Sequence, residues 1–456
     1  MGIHINTYAV LFGVEGLQWA LILLSSMVFF ILSPKAVNTK QFFKALHGKK
    51  EPSAFILMGS LVISWIFAKS ITNAANLGLE FGIVGGVAYA AYYVSFVIAG
   101  IVIYRMRTFG NFNSIHHFLS SKFGKGAVAL FSILIVIRLF NEVWSNTMVI
   151  GSYFGETGSS KYYWSILVFT SLTLAYALKG GLSSSIFTDT IQMGLFSVLL
   201  MVVLMNIFAE GRGFTVEKVV TTGDWSMEMG GNLLLAALLQ SLSYPFHDPV
   251  LTDRGFISSP KVTLKSFLWA GGVGALCIIL FSIIGIYAQF EGMIGQAAVE
   301  VGKAFGLIIL LAINFIMITS AASTLDSTFS SFSKLLSVDL NVGNTLSFGR
   351  LSMAVIAILG TIPIFFDAEI LSATTISGTM VIGLTPVFVF WKMDTPKISF
   401  YLSVFCGIIF GFLLIFEVFP RNLILTNGKY ADLLWINFWG ILACLLLYFI
   451  PKWIRQ

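Results

Sequence analysis

Apolar runs of about twenty residues, parted by short polar stretches, repeat along this 456-residue chain, and each is long enough to cross a bilayer as a helix. About thirteen meet that length criterion. They fall at 8–32, 53–79, 81–105, 126–152, 162–179, 183–209, 232–247, 264–290, 303–338, 346–366, 371–392, 398–418 and 432–452. Alternation of the kind found in barrel strands is missing, so helices are the spanning element. The pattern predicts an all-α membrane bundle. The polar stretches 33–52, 106–125 and 210–231 are the longest, and at about twenty residues each they are too short for a separate catalytic domain.

Four runs are not uniformly apolar. Residues 178–195 read LKGGLSSSIFTDTIQMGL, where a Gly-Gly pair parts two helices and Asp189 lies inside the second. The second run reads SLVISWIFAKSITNAANLGLEFG from Ser60, and Lys69, Ser70, Thr72, Asn73 and Asn76 interrupt it. The seventh carries QSLSYPFHDP from Gln240, with Pro245 and Pro249 each removing a backbone donor. A helix unwound at mid-membrane exposes carbonyls that hold a cation, and it is tolerated where it lines a cavity. Two interrupted segments in corresponding halves point to an inverted repeat around a central site. A proline kink with polar helix contacts is the competing reading. In the ninth run Ser320, Ser323, Thr324 and Ser327 recur at spacings of three and four, so one helix face presents hard oxygen ligands.

Composition agrees with the pattern. The chain is 57% hydrophobic and 11% charged, with mean hydropathy +0.90, whereas soluble domains are about 25% charged. Nineteen of the 27 Lys and Arg fall in one alternating set of loops with the C-terminal tail, and six in the other. Positive loops stay cytoplasmic. The expected product is a multi-pass protein of the plasma (inner) membrane, N-terminus outside and C-terminus inside. The net charge of +6 is scattered, which gives no footprint for nucleic acid. Cys277, Cys406 and Cys444 lie inside runs and read as packing residues. His116, His117 and His247 read as solvated. The first run lacks a basic leader and is expected to be retained.

Six ionisable groups are conspicuous within runs: Glu15, Lys69, Arg138, Glu142, Asp189 and Asp326. Each deep charge costs about 2.5–3.5 kcal/mol on the insertion scale, so it must be paired, hydrated or ion-bound. Glu15 lies near the outer end of its run, within reach of the headgroups. Arg138 and Glu142 are four apart and can pair. Alternatively Arg138 faces a polar cavity and binds a carboxylate with its planar fork. Asp189 and Asp326, at one depth, suggest a second cation site or a shared proton.

Three stretches carry a family resemblance. GGLSSSIFTDTIQ at 180–192, SLVISWIFAKS…LGLEFGIVGG from Ser60, and SAASTLDSTFSSFSKLLSVDL at 320–340 resemble the sodium:solute symporters. The likeness spans nearly the whole chain and implies a LeuT-type fold of two five-helix inverted repeats, with one extra N-terminal and two extra C-terminal helices. The parts would be a leading helix and loop at 1–52, repeats at 53–209 and 232–392, an extracellular loop at 210–231, and C-terminal helices at 393–456. By the same resemblance, a sodium site would use carbonyls of Ile63, Ile66 and Ser320 with the hydroxyls of Ser323 and Thr324. A second sodium site would use Asp189, Ser323, Asp326 and Ser327. Substrate would sit near Lys69, Ser70, Asn73, Arg138 and Tyr244.

The family usually has small residues where Asp326 and Lys69 stand. Lys69 is therefore free to neutralise Asp189 or Asp326, to meet substrate, or to replace a cation. The implied activity is Na⁺-coupled uptake of a small, carboxylate-bearing solute such as an amino acid or organic acid, without an organic cofactor. Proton-coupled or uncoupled transport on the same fold, and sugar or polyol symport, are the alternatives. A hydrolase reading lacks a G-x-S-x-G motif, and a channel reading lacks repeated selectivity elements.

Overall fold

The computed structural model describes residues 2–45, 51–211, 213–366 and 377–455. The start of the span expected at 371–392, and the loop residues Lys49, Lys50 and Arg212, lie outside them.

Every regular element among the described residues is helical. A leading helix α1 (Gly2–Leu32) and a short α2 (Thr39–Lys44) precede a broken pair, α3 (Ala54–Trp65) and α4 (Ala68–Phe81). Then come α5 (Ile83–Ala90), α6 (Val94–Phe109), the short α7 (Ile115–Phe123), α8 (Lys125–Ser152), α9 (Ser160–Gly180) and α10 (Leu182–Glu210). The second half holds α11 (Val216–Thr221), α12 (Asn232–Gln240), α13 (Pro249–Arg254), α14 (Pro260–Phe290), α15 (Ala297–Ala304), α16 (Leu307–Lys334) and α17 (Leu346–Thr361). It closes with α18 (Leu384–Val389), α19 (Lys397–Ile415) and α20 (Ala431–Arg455). Among the described residues nine helical stretches are long and apolar enough to cross a membrane, and α3 with α4, bent by 67°, supplies a tenth. The remaining expected spans correspond to α9, to the broken α12–α13 segment and to the partly described stretch around α18.

Local signals place the breaks. Ser53 caps α3 by accepting from Ile56 N–H, and Ile66 ends it at φ −78°, ψ 70°. Two residues later α4 begins. The polar run from Lys69 to Asn76 is thus helical, and the unwinding lies just before it, at Ile66–Phe67. This corrects the expectation that the polar run itself is unwound. The second break spans Ser241–Asp248. There Pro249 stands at the first position of α13 and Asp248 caps it, its Oδ1 accepting from Val250 N–H at 3.0 Å.

The centre of the bundle is α3, α10 and α16, with α8 against α16 and α14 laid across α3, α4, α5 and α6. Gly181 turns α9 into α10 at φ 58°. A Cβ there would stand 2.5 Å from the Phe42 carbonyl, so the glycine serves both the turn and the close approach of α2.

Candidate functional site

Both breaks open toward α8 and α16. At the first, the carbonyl of Ile66 is released from the helix and accepts from the Ser320 hydroxyl on α16. Thr324 Oγ1 donates back to Ser320 O at 3.0 Å, and Ser323 Oγ donates to Asp189 Oδ1 at 2.5 Å. Ile63, wholly buried, lies one turn before the break. Ile66, Ser320, Ser323 and Thr324 therefore converge on one oxygen-lined locus between α3 and α16. No group of three or more His, Cys, Asp or Glu is arranged for a metal among the described residues; the oxygens gathered here are hydroxyls and carbonyls, with the Asp189 carboxylate beside them.

Beside it lies an inner cluster. Asp189 Oδ2 accepts from Arg254 Nη2 at 2.8 Å, from Ser60 Oγ at 2.6 Å and from Ser64 Oγ at 3.2 Å. Arg254 also donates to Ser60, Ser64, Ser185 and Ser327. Asp326 receives Thr188 Oγ1 at 3.1 Å and Ser327 Oγ at 3.3 Å. Asp189, Arg254 and Asp326 are all fully buried. Arg254, one of the nineteen cations assigned to the basic loop set, is instead the tethered cation of Asp189. The hydropathy run ends before Arg254 because α13 restarts after the break, so a run-based boundary misplaces it.

The second charged group sits between the two breaks. Lys69 Nζ donates to Glu142 Oε1 at 2.8 Å and to Ser145 Oγ at 3.0 Å. Arg138 pairs with Glu142 one turn along α8 and with Asp248 Oδ2 at 3.0 Å. Trp65 Nε1 donates to Asp248 Oδ2 at 2.8 Å, and Asn146 Nδ2 to Glu142 Oε2 at 2.9 Å. Lys69 is thus matched with Glu142, away from Asp189 and Asp326, which removes the expectation that it neutralises either. The rings of Phe67 and Tyr244 lie about the cations, Lys69 Nζ 5.0 Å from Phe67 and the Arg138 guanidinium 5.0 Å from Tyr244.

Ser70 and Asn73 both meet the Tyr89 hydroxyl, at 3.2 and 3.4 Å. Ser70, with Trp65, Phe67, Tyr89, Tyr92, Tyr93 and Tyr244, lines a cavity of about 20 Å³, room for roughly one water. Asp248 and Trp65 escaped the sequence reading. Asp248 lies one residue past the boundary set at 247, and its signal was the Asp-Pro step that caps a restarted helix. His247 is fully buried, Nδ1 2.6 Å from the Tyr244 carbonyl, correcting its reading as solvated. Glu15, by contrast, is exposed and pairs with Lys161 at 2.6 Å.

A larger cavity of about 750 Å³ opens at the end of the bundle that carries the basic loops. Lys44, Asn113, His116, His117, Lys125, Asp253, Lys334 and Asp339 contribute to its wall. At its floor Lys334 bridges Asp253 at 2.5 Å and Asp339 at 3.1 Å.

No protein-family profile and no curated protein sequence matches this chain. Solved structures do. A Na⁺-coupled sialic acid symporter in a substrate-bound, outward-open state is similar over 96% of this chain and 97% of its own, at 14% identity and TM-score 0.61. MhsT in complex with L-phenylalanine aligns over 88% and 99%, at 14% identity and TM-score 0.57. Mhp1, a nucleobase-cation-symport-1 family transporter closed around bromovinylhydantoin, aligns over 90% and 95%, at 14% identity and TM-score 0.54. Similarity at TM-scores of 0.54–0.61 over nearly the whole length of each chain shows that this chain has the LeuT-type fold.

Proposed function

We propose that the chain is a secondary active transporter that uses Na⁺ to drive uptake of a small, carboxylate-bearing solute by alternating access. The observation that carries this reading is the freed Ile66 carbonyl, held against the hydroxyl face of α16. A sodium ion there, bound by Ile63, Ile66 and Ser320 carbonyls with Ser323 and Thr324 hydroxyls, would tie the broken helix to α16. That tie orders the α3–α4 break, which borders the solute site formed by Lys69, Ser70, Asn73, Arg138 and Tyr244. Reciprocity then requires the solute to tighten sodium binding by the same factor. The likeness in fold to a Na⁺-coupled symporter supports the reading.

The test is thermal unfolding of the purified protein in Na⁺ against K⁺ or choline. Sodium should raise the melting temperature and Thr324→Ala should remove the rise; equal melting in all three salts overturns the sodium site. Asp326 favours a second reading. Arg254 already satisfies Asp189, so Asp326 is the carboxylate left for a proton or second sodium, with Ser327 beside it. Uptake driven by a pH gradient and indifferent to Na⁺ would establish proton coupling.

A further inference from the structure

Four lysines gather where α7 turns into α8 and where α19 begins, and the chain gives them little counter-charge. Lys125 and Lys397 are the first residues of α8 and α19, the end of a helix at which its dipole disfavours a cation. The two helix starts are adjacent. A Cβ at Gly124 would lie 3.9 Å from Lys397 Nζ, and one at Gly126 would lie against the Tyr401 hydroxyl. Lys122, in the last turn of α7, donates to the Trp391 carbonyl at 2.6 Å. The next residue along, Lys392, sets its Nζ 4.8 Å from the Phe109 ring. Asp394 is the acid that acts on Lys122, so four cations and one carboxylate leave the patch at +3. Among the described residues none of the four lysines is in an ion pair. Lys125, Lys392 and Lys397 are exposed. Burial lowers the Lys122 pKa to about 8, with Asp394 pulling it up.

What compensates such a patch depends on its depth. The apolar spans of α8 and α19 begin at Lys125 and Lys397, which puts the lysines at the boundary between headgroups and hydrocarbon. Along α19, Ile398, Phe405, Ile409 and Phe412 are exposed. Their spacings of seven, four and three place them in one stripe that runs from the patch into the membrane. Phe109, 67% exposed at the end of α6, stands beside Lys392. A soluble anion would use the lysines and leave the stripe untouched. A neutral lipid would cover the stripe and leave the lysines uncompensated. A lipid with an anionic headgroup satisfies both. We propose that this face of α7, α8 and α19 binds one anionic phospholipid from the leaflet on the basic side. Its phosphate sits among Lys125, Lys392 and Lys397, and an acyl chain lies along Ile398, Phe405 and Ile409. Basic pockets between helices at a membrane surface suit such headgroups. The bound headgroup bridges α19 to α8 and so ties the C-terminal helices to the rest of the bundle.

The experiment is a thermal-shift titration of the purified, delipidated full-length protein in neutral detergent. The probes are phosphatidylglycerol, phosphatidylcholine with the same chains, and glycerol phosphate, which carries the headgroup charge without chains. Phosphatidylglycerol should raise the melting temperature, with half-effect at a concentration about tenfold or more below that of phosphatidylcholine, and glycerol phosphate should have little effect. Equal shifts from the two lipids overturn the proposal. A glycerol phosphate shift as large as that of phosphatidylglycerol makes the patch a soluble-anion site and overturns the lipid. Each lysine beside an anionic headgroup is worth about fivefold in affinity, so Lys392→Gln with Lys397→Gln should weaken phosphatidylglycerol roughly twentyfold and leave phosphatidylcholine unchanged. Lys35→Gln with Lys40→Gln, on the segment between α1 and α3, removes the same charge away from the patch and should change neither lipid. Equal weakening by the two pairs means a general charge attraction with no site, and the proposal fails. If the Lys392/Lys397 pair unfolds, Lys392→Gln alone should cost about fivefold, and an unchanged preference in that folded single variant overturns the site.

Discussion

Arg254 ends α13 with no exposed surface, and its guanidinium gathers Asp189 and the hydroxyls of Ser60, Ser64, Ser185 and Ser327 from three other helices. An arginine at such depth is stable only because every face of its fork has a partner. Arg254→Ala would leave Asp189 buried without its cation, and breaking a buried pair from one side costs roughly 3–5 kcal/mol. The expected outcome is a protein that melts well below wild type, with much of the loss restored when Asp189→Asn is added. If the single variant melts like wild type, the pair is hydrated and the cluster has been misread. The residues that organise this cluster were only half legible in the sequence. Asp189 stands out because a carboxylate interrupts an apolar run. Arg254 does not, since a charge after a proline-broken helix looks the same whether the chain turns into water or back into the core. Asp248 was hidden by the same ambiguity, and the pairing of Lys69 with Glu142 depends on helix neighbours that a linear pattern does not encode.

Packing of α14 on α4 depends on backbone-to-backbone contact. A Cβ at Gly285 would lie 2.6 Å from Leu79 N and against the Ala75 carbonyl, and one at Gly78 would lie 3.0 Å from the Ser282 carbonyl carbon. Small residues at such crossings let membrane helices approach closely, where van der Waals contact drives association. Gly285→Ala must push α14 away from α4, the helix that follows the first break. Overpacking of this kind costs on the order of 1–3 kcal/mol, so the variant should melt lower. Gly272→Ala on the same helix, where nothing lies within 4 Å, should be neutral or slightly stabilising through helix propensity. Equal effects from the two substitutions would show that the crossing is looser than described. Elements were the most legible level. Apolar length alone marks the spans, and proline marks the second break. The first break was misplaced by a few residues because polarity was taken as the sign of unwinding. Lys69, Ser70 and Asn73 instead stay helical in α4, where partners on α8 and α5 satisfy them.

At the scale of the whole molecule, the closed centre and the 750 Å³ cavity at the basic end define a direction. His116 sits in that cavity, 3.8 Å from Asp339, and burial holds its ring below the usual histidine range against the opposing pull of Asp339. The folded protein therefore keeps this ring neutral, while the unfolded chain takes up its proton near pH 6.5. The unfolded state binds more protons below that point, so stability falls as pH drops through it. Melting at pH 5.5 should be lower than at pH 7.5, and His116→Gln should narrow the gap; an unchanged gap assigns the acid sensitivity elsewhere. Orientation is the larger question, since a cavity on the basic side opens to the cytoplasm only if the positive loops face inward. Ile294, 92% exposed between α14 and α15, and Val342, 64% exposed between α16 and α17, lie at opposite ends of the long α16. The three native cysteines are buried, so they should contribute little background to thiol labelling. In intact cells an impermeant maleimide should label Ile294→Cys and spare Val342→Cys until the membrane is opened. The reverse result would turn the molecule over. Under the proposed transport function, the cavity at the basic end would then admit solute from outside, and the same structure would show the opposite stage of the proposed cycle.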